Sequence, residues 1–165
     1  MAVYDEIGRT YARTRRADPR IAARIVAALG GAASVLSVGA GSGNYEPTDR
    51  RVIALEPSMT VIRQRPAGAA VVVQGVAGDL PFVDRSFDAA MGTLTLHHWP
   101  DLGAGLAEVW RVSRRQVFML CDGLVRDGYW LIADYFPRSG NSTPSVMHRR
   151  WRWWVSTSMS LESRS

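Results

Sequence analysis

The residues best suited to chemistry are a glycine-rich loop and a carboxylate that follows it. Gly39-Ala40-Gly41-Ser42-Gly43 comes directly after an apolar run, and Glu56 ends the next apolar run. Glycines let polar groups of a ligand approach the main chain closely, and a carboxylate beside such a loop can accept hydrogen bonds from both hydroxyls of a ribose. A tight turn with a solvated acid is the plainer interpretation. The spacing of loop and acid favours a nucleotide-like ligand.

The loop sequence separates the classes of nucleotide. A dinucleotide fingerprint has a small residue at its sixth position, where this chain has Asn44. A nicotinamide-dependent oxidoreductase is therefore the less favoured enzyme class. The chain also lacks the G-K-[ST] sequence of a phosphate-binding P-loop, which excludes that type of site.

Alternating helices and short strands must position these groups. Residues 2–16 and 19–29 are predicted to be helices, the second with Asp18 as its cap and Pro19 at its first position. A further helix is predicted at Leu102–Val112. Five short apolar runs, four of which contain Val, predict strands that are buried on both faces: Ser34–Val38, Val52–Leu55, Ala70–Gln74, Phe87–Gly92 and Gln116–Leu120. The alternation predicts an α/β, doubly wound, mainly parallel sheet.

The composition limits the classes of protein to which the chain can belong. The chain has 165 residues, 47% of them hydrophobic and 21% charged, which is typical of one globular domain. No apolar run is long enough for a transmembrane segment, and the N-terminus lacks a secretory signal, so a cytoplasmic protein is expected. The single cysteine, Cys121, excludes an internal disulfide and a Cys-rich metal site, and we predict no metal.

Four motifs together resemble the class I S-adenosylmethionine-dependent methyltransferases, and within them the ubiquinone/menaquinone-biosynthesis-like (type 11) group. The motifs are VLSVGAGSG, VIALEPS, VVQGVAGDLPFVDRSFDAAMGTLTLHHWPD and LAEVWRV. The resemblance covers residues 4–137. It implies a Rossmann-like sheet of order 3-2-1-4-5, S-adenosyl-L-methionine as the cofactor, and methyl transfer to a small-molecule acceptor.

The resemblance also implies roles for single residues. Glu56 would hold the ribose, Thr93 would touch the methionine end, and Tyr11 lies on a first helix that closes over the cofactor in relatives. The other positions implied to contact the cofactor are Gly39, Ala40, Gly41, Gly43, Pro57, Ser58, Met59, Val76 and Ala77. Val76 and Ala77 stand where relatives have a polar contact to the adenine amino group, so only backbone contact from Ala77 remains. Ser37 replaces an acid that helps to orient the cofactor amine in relatives.

A pair of adjacent histidines provides a candidate general base. His97 and His98 follow the Thr93 segment, and an imidazole suits proton removal from an acceptor near neutral pH. Adjacent side chains at a strand end point in opposite directions, so at most one is expected to face the site. The resemblance places His98 nearer the acceptor. The alternative is a histidine with only a structural role beside the turn at Pro100 and Asp101.

The chain changes character after Pro137. Residues 138–165 are rich in Ser, Arg and Trp, whereas relatives continue with a helix and an antiparallel hairpin that completes the sheet. We therefore predict an incomplete methyltransferase domain at 1–137 that lacks the usual C-terminal antiparallel hairpin, with a disordered tail at 138–165 outside the sheet. The fifth strand would keep an exposed edge, which favours a homodimer. No specific nucleic acid partner is expected, and a truncated, catalytically inactive cofactor-binding remnant is the alternative function.

Overall fold

A six-stranded sheet forms the centre of the structure, a computed structural model that describes residues 17–120 and the strand at 152–157. The strands are β1 (Ser34–Val38), β2 (Arg51–Glu56), β3 (Val71–Gln74), β4 (Ala89–Thr93), β5 (Arg115–Leu120) and β6 (Arg152–Thr157). Their spatial order is β3-β2-β1-β4-β5-β6, and neighbours among the first five are parallel. The predicted order 3-2-1-4-5 is confirmed.

The central strand β1 fixes the register of the sheet. All its residues are buried, as expected for a strand covered on both faces. It pairs with β2 and with β4, and these pairings place Val38 beside Leu55 and Ser37 beside Met91. The carboxyl ends of β1, β2 and β4 therefore meet at one edge of the sheet. The edge strand β3 is less covered, because Val71 is 70% exposed, so the expectation of burial on both faces is wrong there.

Helices cover both faces of the sheet. The helix α1 (Pro19–Leu29) buries Ile21, Ile25 and Leu29 against one face, and α3 (Leu102–Val112) buries Val109 and Val112 against the other. The short helix α2 (Met59–Ile62) lies between α1 and α3 in the sequence. The doubly wound architecture predicted from the sequence is thus confirmed.

Local signals set the ends of α1 and α3. The Asp18 side chain accepts a hydrogen bond from the backbone N–H of Arg20, and Pro19 occupies the first turn of α1, where a missing N–H costs nothing. The Asp101 side chain accepts from Ala104 and caps α3 in the same way. Both helices have the predicted bounds. The predicted helix at 2–16, including Tyr11, lies outside the described residues.

The strand β6 contradicts one prediction about the tail. It pairs antiparallel with β5 from Arg115 opposite Thr157 to Leu120 opposite Arg152. Its sequence RWWVST is rich in aromatic and β-branched residues, which favour strands, and the edge of β5 offers unpaired backbone groups. The segment therefore belongs to the sheet, and the β5 edge on which the homodimer prediction rested is occupied. The domain boundary at 137 and the remaining tail, 138–151 and 158–165, lie outside the described residues.

No helix in the described part of the chain is long and apolar enough to cross a membrane.

Candidate functional site

A cleft of about 260 Å³ opens where β1, β2 and β4 end. This is the crevice at which α/β sheets bind ligands, because the chain connections diverge to opposite faces there. Its walls come from the glycine loop, the end of β2, the segment after β3 and the segment after β4. They are Val38, Gly39, Gly41, Leu55, Glu56, Pro57, Val61, Val76, Ala77, Thr93, Leu94, Thr95, His97, His98, Trp99 and Pro100.

The glycine loop is pinned to the end of β2. The backbone N–H groups of Gly39 and Ala40 both donate to the carbonyl of Leu55, at 2.9 and 3.0 Å. Gly39 has φ 65°, and a side chain there would overlap Thr95. Gly41 has φ 56°. Glycine is thus needed at position 39 for both the left-handed backbone and the close approach of the loop to the segment after β4.

Glu56 lies at the bottom of the cleft with its carboxylate held by the main chain. Its Oε2 accepts from the N–H of Gly41 at 2.9 Å, and its Oε1 accepts from the N–H of Ser58 at 3.0 Å. Only 5% of the residue is exposed. These two donors orient the carboxylate, and carboxylate oxygens are acceptors for the hydroxyl groups of a ligand.

A smaller compartment of about 50 Å³ adjoins the cleft beyond the glycine loop. It shares Gly39, Thr93 and Leu94 with the cleft and adds Ser37, Ala40, Ser42, Asn44, Tyr45, Glu46 and Met91. The Oγ of Ser42 is buried there without a hydrogen-bond partner. Buried polar groups are nearly always satisfied, so this hydroxyl indicates a polar ligand atom or a water in the compartment.

The segment after β4 carries backbone strain. Leu94 has φ 55°, which is uncommon for a residue with a branched side chain, and its N–H donates to Met119 on β5. Thr95 follows and accepts from the indole N–H of Trp99 through Oγ1 at 3.3 Å. Strained residues of this kind persist where the surrounding structure holds them, and they cluster at ligand sites.

Both histidines of the pair line the cleft. They lie on a short 3₁₀ helix, Leu96–His98, with ring centroids 3.8 Å apart, and both are exposed. The prediction that at most one faces the site is wrong, because β4 ends at Thr93 and the pair is not on a strand end. The chemistry available at the mouth of the cleft is therefore that of two neighbouring imidazoles.

The described residues contain no group of three or more His, Cys, Asp or Glu side chains arranged to hold a metal ion.

Known proteins are similar to this chain in sequence and fold. Residues 36–121, just over half of the chain, match the family model described as a methyltransferase domain. The chain belongs to this methyltransferase family. The resemblance to class I S-adenosylmethionine-dependent methyltransferases of the type 11 group is therefore confirmed, and the match includes the glycine loop, Glu56 and the histidine pair.

Individual relatives agree with the family. A demethylmenaquinone methyltransferase of Roseiflexus sp. (strain RS-1) is 36% identical over 97 residues, which are 54% of this chain and 38% of that protein. The corresponding protein of Roseiflexus castenholzii is 40% identical over 76 residues, 42% of this chain and 31% of that protein. The chain thus spans less than two fifths of the length of these relatives. A crystal structure of a putative methyltransferase from an antibiotic biosynthesis pathway of Anabaena variabilis has a TM-score of 0.65 and 29% identity, and the similarity covers 75% of this chain and 53% of that one.

The methyltransferase fold brings most of the predicted cofactor contacts together. Gly39, Gly41, Glu56, Pro57, Val76, Ala77 and Thr93 line the cleft, and Ala40 lines the adjoining compartment. His98, the candidate base, also lines the cleft. Gly43, Ser58 and Met59 line neither space. Ser58 instead caps α2 and donates its N–H to Glu56, while Met59 is half-exposed on α2. Tyr11 lies outside the described residues.

Several lining residues were not predicted. Leu55 and Val61 form an apolar wall near Glu56, and Thr95, Trp99 and Pro100 come from the segment after β4. The apolar wall had a sequence signal, since both residues belong to runs adjacent to the acid. The positive φ of Leu94 had none, because it arises from tertiary contacts with β5.

Proposed function

We propose that the cleft binds S-adenosyl-L-methionine and that the chain transfers its methyl group to a small-molecule acceptor. The observation that carries the proposal is the Glu56 carboxylate, buried at the end of β2 and oriented by two backbone N–H groups beside the glycine loop. That geometry suits two adjacent ribose hydroxyls.

The two spaces fit the two ends of this cofactor. Leu55, Val61 and Ala77 give an apolar surface on which a purine ring can pack. The adjoining compartment is polar, and the unpaired hydroxyl of Ser42 offers a partner for the charged amino-acid end. Ser37, buried in the same compartment, offers a weaker acceptor than the acid that relatives carry.

When bound, the cofactor would supply an electrophilic methyl group on a sulfonium, which an acceptor displaces in line. The residues of this chain would align the reactants and limit the access of water. Gly39, Thr93 and Leu94 lie where the two spaces join, so they would border the reacting centre. No metal is needed for such a step.

Calorimetry with S-adenosylhomocysteine and with NAD tests the cofactor class. We expect binding of the first and none of the second, because Asn44 takes the place of the small residue of a dinucleotide site. Binding of NAD alone would replace this proposal with the oxidoreductase alternative. Two relatives are named demethylmenaquinone methyltransferases, so demethylmenaquinone is the first acceptor to assay.

His98 is the proposed general base for an acceptor that must lose a proton. It lies at the mouth of the cleft, where an acceptor would enter. We expect His98→Ala to lower the rate of methyl transfer about 10²- to 10⁴-fold while the affinity for S-adenosylhomocysteine stays the same. His97→Ala is the matched control, since it removes the adjacent ring. A wild-type rate of methyl transfer in His98→Ala would return His98 to a structural role.

A further inference from the structure

A buried ion pair lies directly behind the glycine loop. Arg65 donates through Nη2 to both carboxylate oxygens of Glu46 at 2.7 Å, and the two side chains are 5% and 7% exposed. Arg65 also donates through Nη1 to the carbonyl of Gly41 at 2.9 Å and through Nη2 to the carbonyl of Ala70 at 3.2 Å. The pair therefore joins the loop to the segment that enters β3.

Gly41 is held from both sides. Its N–H donates to Glu56 and its carbonyl accepts from Arg65, so the two peptide groups that flank this residue are fixed by charged partners. Gly43 packs on the pair as well, since a Cβ there would lie 3.0 Å from Glu46 and 3.2 Å from Arg65. No helix follows the loop before β2, so the pair takes the place of the helical support that this carbonyl would otherwise have.

We propose that Arg65 is a positioning residue for cofactor binding: it fixes the direction of the Gly41 peptide groups and, through the Gly41 N–H, the orientation of the Glu56 carboxylate. The proposal deepens the cofactor site and rests on the proposed function. Arg65 does not line the cleft and would not touch the cofactor. Glu46 has a different task, since it neutralises the buried guanidinium and accepts from the N–H of Ala70.

Three variants separate positioning from general stability. Arg65→Met leaves the Glu46 charge buried without its cation, so we expect a large fall in Tm and at least a tenfold weaker Kd for S-adenosylhomocysteine. Glu46→Gln keeps the donor to Gly41 but changes a residue that lines the adjoining compartment, so only its Tm is compared, and we expect that Tm to fall. The double variant holds no unpaired charge. Its Tm should recover in part, whereas its Kd should stay as weak as that of Arg65→Met.

Arg111→Met is the matched control. Arg111 also donates to two backbone carbonyls, those of Leu80 and Phe82, and pairs with Glu108, but it holds the segment before β4 against α3 instead of the glycine loop. We expect a lower Tm and an unchanged Kd. A Kd that follows Tm across Arg65→Met, the double variant and Arg111→Met would show that Arg65 is only structural.

Hydrogen exchange of ligand-free protein decides the same question without the cofactor. We expect amides in residues 39–46 to exchange at least tenfold faster in Arg65→Met and at the wild-type rate in Arg111→Met. If the wild type binds no S-adenosylhomocysteine, the proposed function fails, while the exchange rates still test whether Arg65 holds the loop. Should Arg65→Met not fold, Arg65→Lys replaces it, because one ammonium keeps the charge but cannot span the two carbonyls. Unchanged loop exchange in the variant that folds would overturn the proposal.

Discussion

Replacing Glu56 with glutamine removes one negative charge from the bottom of the cleft and keeps the size of the side chain. The present carboxylate accepts from Gly41 and Ser58 with one oxygen each. A glutamine has only one acceptor oxygen, and its NH₂ group would face one of these N–H donors. The substitution therefore acts both on the loop geometry and on any hydroxyl groups bound at this position.

The expected magnitude follows from these hydrogen bonds. Bonds to a charged group contribute about 1.5–3 kcal/mol, whereas neutral ones contribute about 0.5–1.5 kcal/mol. The substitution changes the acceptor of two hydrogen bonds from ribose hydroxyls from a charged group to a neutral one. Because the residue is only 5% exposed, this change should weaken cofactor binding by about 1–3 kcal/mol. At 1.4 kcal/mol per factor of ten, this is about a 5- to 150-fold increase in Kd. The mismatched backbone donor should lower the free energy of unfolding by about 1–3 kcal/mol.

Titration calorimetry with S-adenosylhomocysteine measures the Kd, and urea unfolding followed by circular dichroism measures the stability. Asp49→Asn is the control, because Asp49 is an exposed acid next to the opposite end of β2 and pairs only locally with Arg50. Its Kd should equal that of the wild type. A Glu56→Gln protein that is folded and binds within twofold of the wild type would refute the assignment of Glu56 to the ribose.

Three further outcomes are expected. Gly39→Ala should lower Tm more than Gly68→Ala does, since both glycines have positive φ but only a Cβ at position 39 would meet a neighbouring side chain. Gly39→Ala should also weaken cofactor binding, and equal losses of Tm in the two variants would contradict this reasoning. The hydroxyl of Ser34 holds the pKa of Asp88 below its usual range, so the stability from this carboxylate is present above about pH 4 and is lost as pH falls through the lower folded pKa. Urea unfolding from pH 7 to pH 2 should show a steeper acid loss in the wild type than in Asp88→Asn. Deleting residues 152–165 should lower Tm because β5 loses its antiparallel neighbour, and an unchanged Tm would show that this pairing is dispensable.

The parts of the fold that local sequence determines were predicted well. The cap at Asp18 and the proline that follows define the start of α1, and the short, largely apolar run SVLSV predicted β1 as a strand covered on both faces. The ends of the strands were predicted less accurately. Phe87 was placed in β4, but its N–H donates to Val112 and its carbonyl accepts from Arg114, so it forms an isolated bridge with Ser113 before β5, and β4 begins at Ala89.

The candidate site was predictable to the extent that its residues follow strands. Glu56 ends a strand next to the one that enters the glycine loop, and parallel strands bring such ends together. The strained backbone of Leu94 and the pairing of β6 depend on contacts between distant segments, which a local pattern does not record. The tail was also misjudged because serine and arginine around the tryptophans concealed a strand of high β-propensity.

The buried pair shows how a shortened connection can be compensated. Between Gly43 and β2 the chain makes turns and contains Pro47, so no helix follows the loop there, and the Gly41 carbonyl accepts from Arg65. An unsatisfied buried carbonyl costs about 1–3 kcal/mol, and a guanidinium with its fork of donors can serve two carbonyls and a carboxylate at once. Arg65 meets this need from beyond α2, and burying its charge requires Glu46 nearby. The compensation couples α2 and the start of β3 to the loop, so we expect perturbations in either segment to alter cofactor affinity even though Arg65 and Ala70 lie outside the cleft.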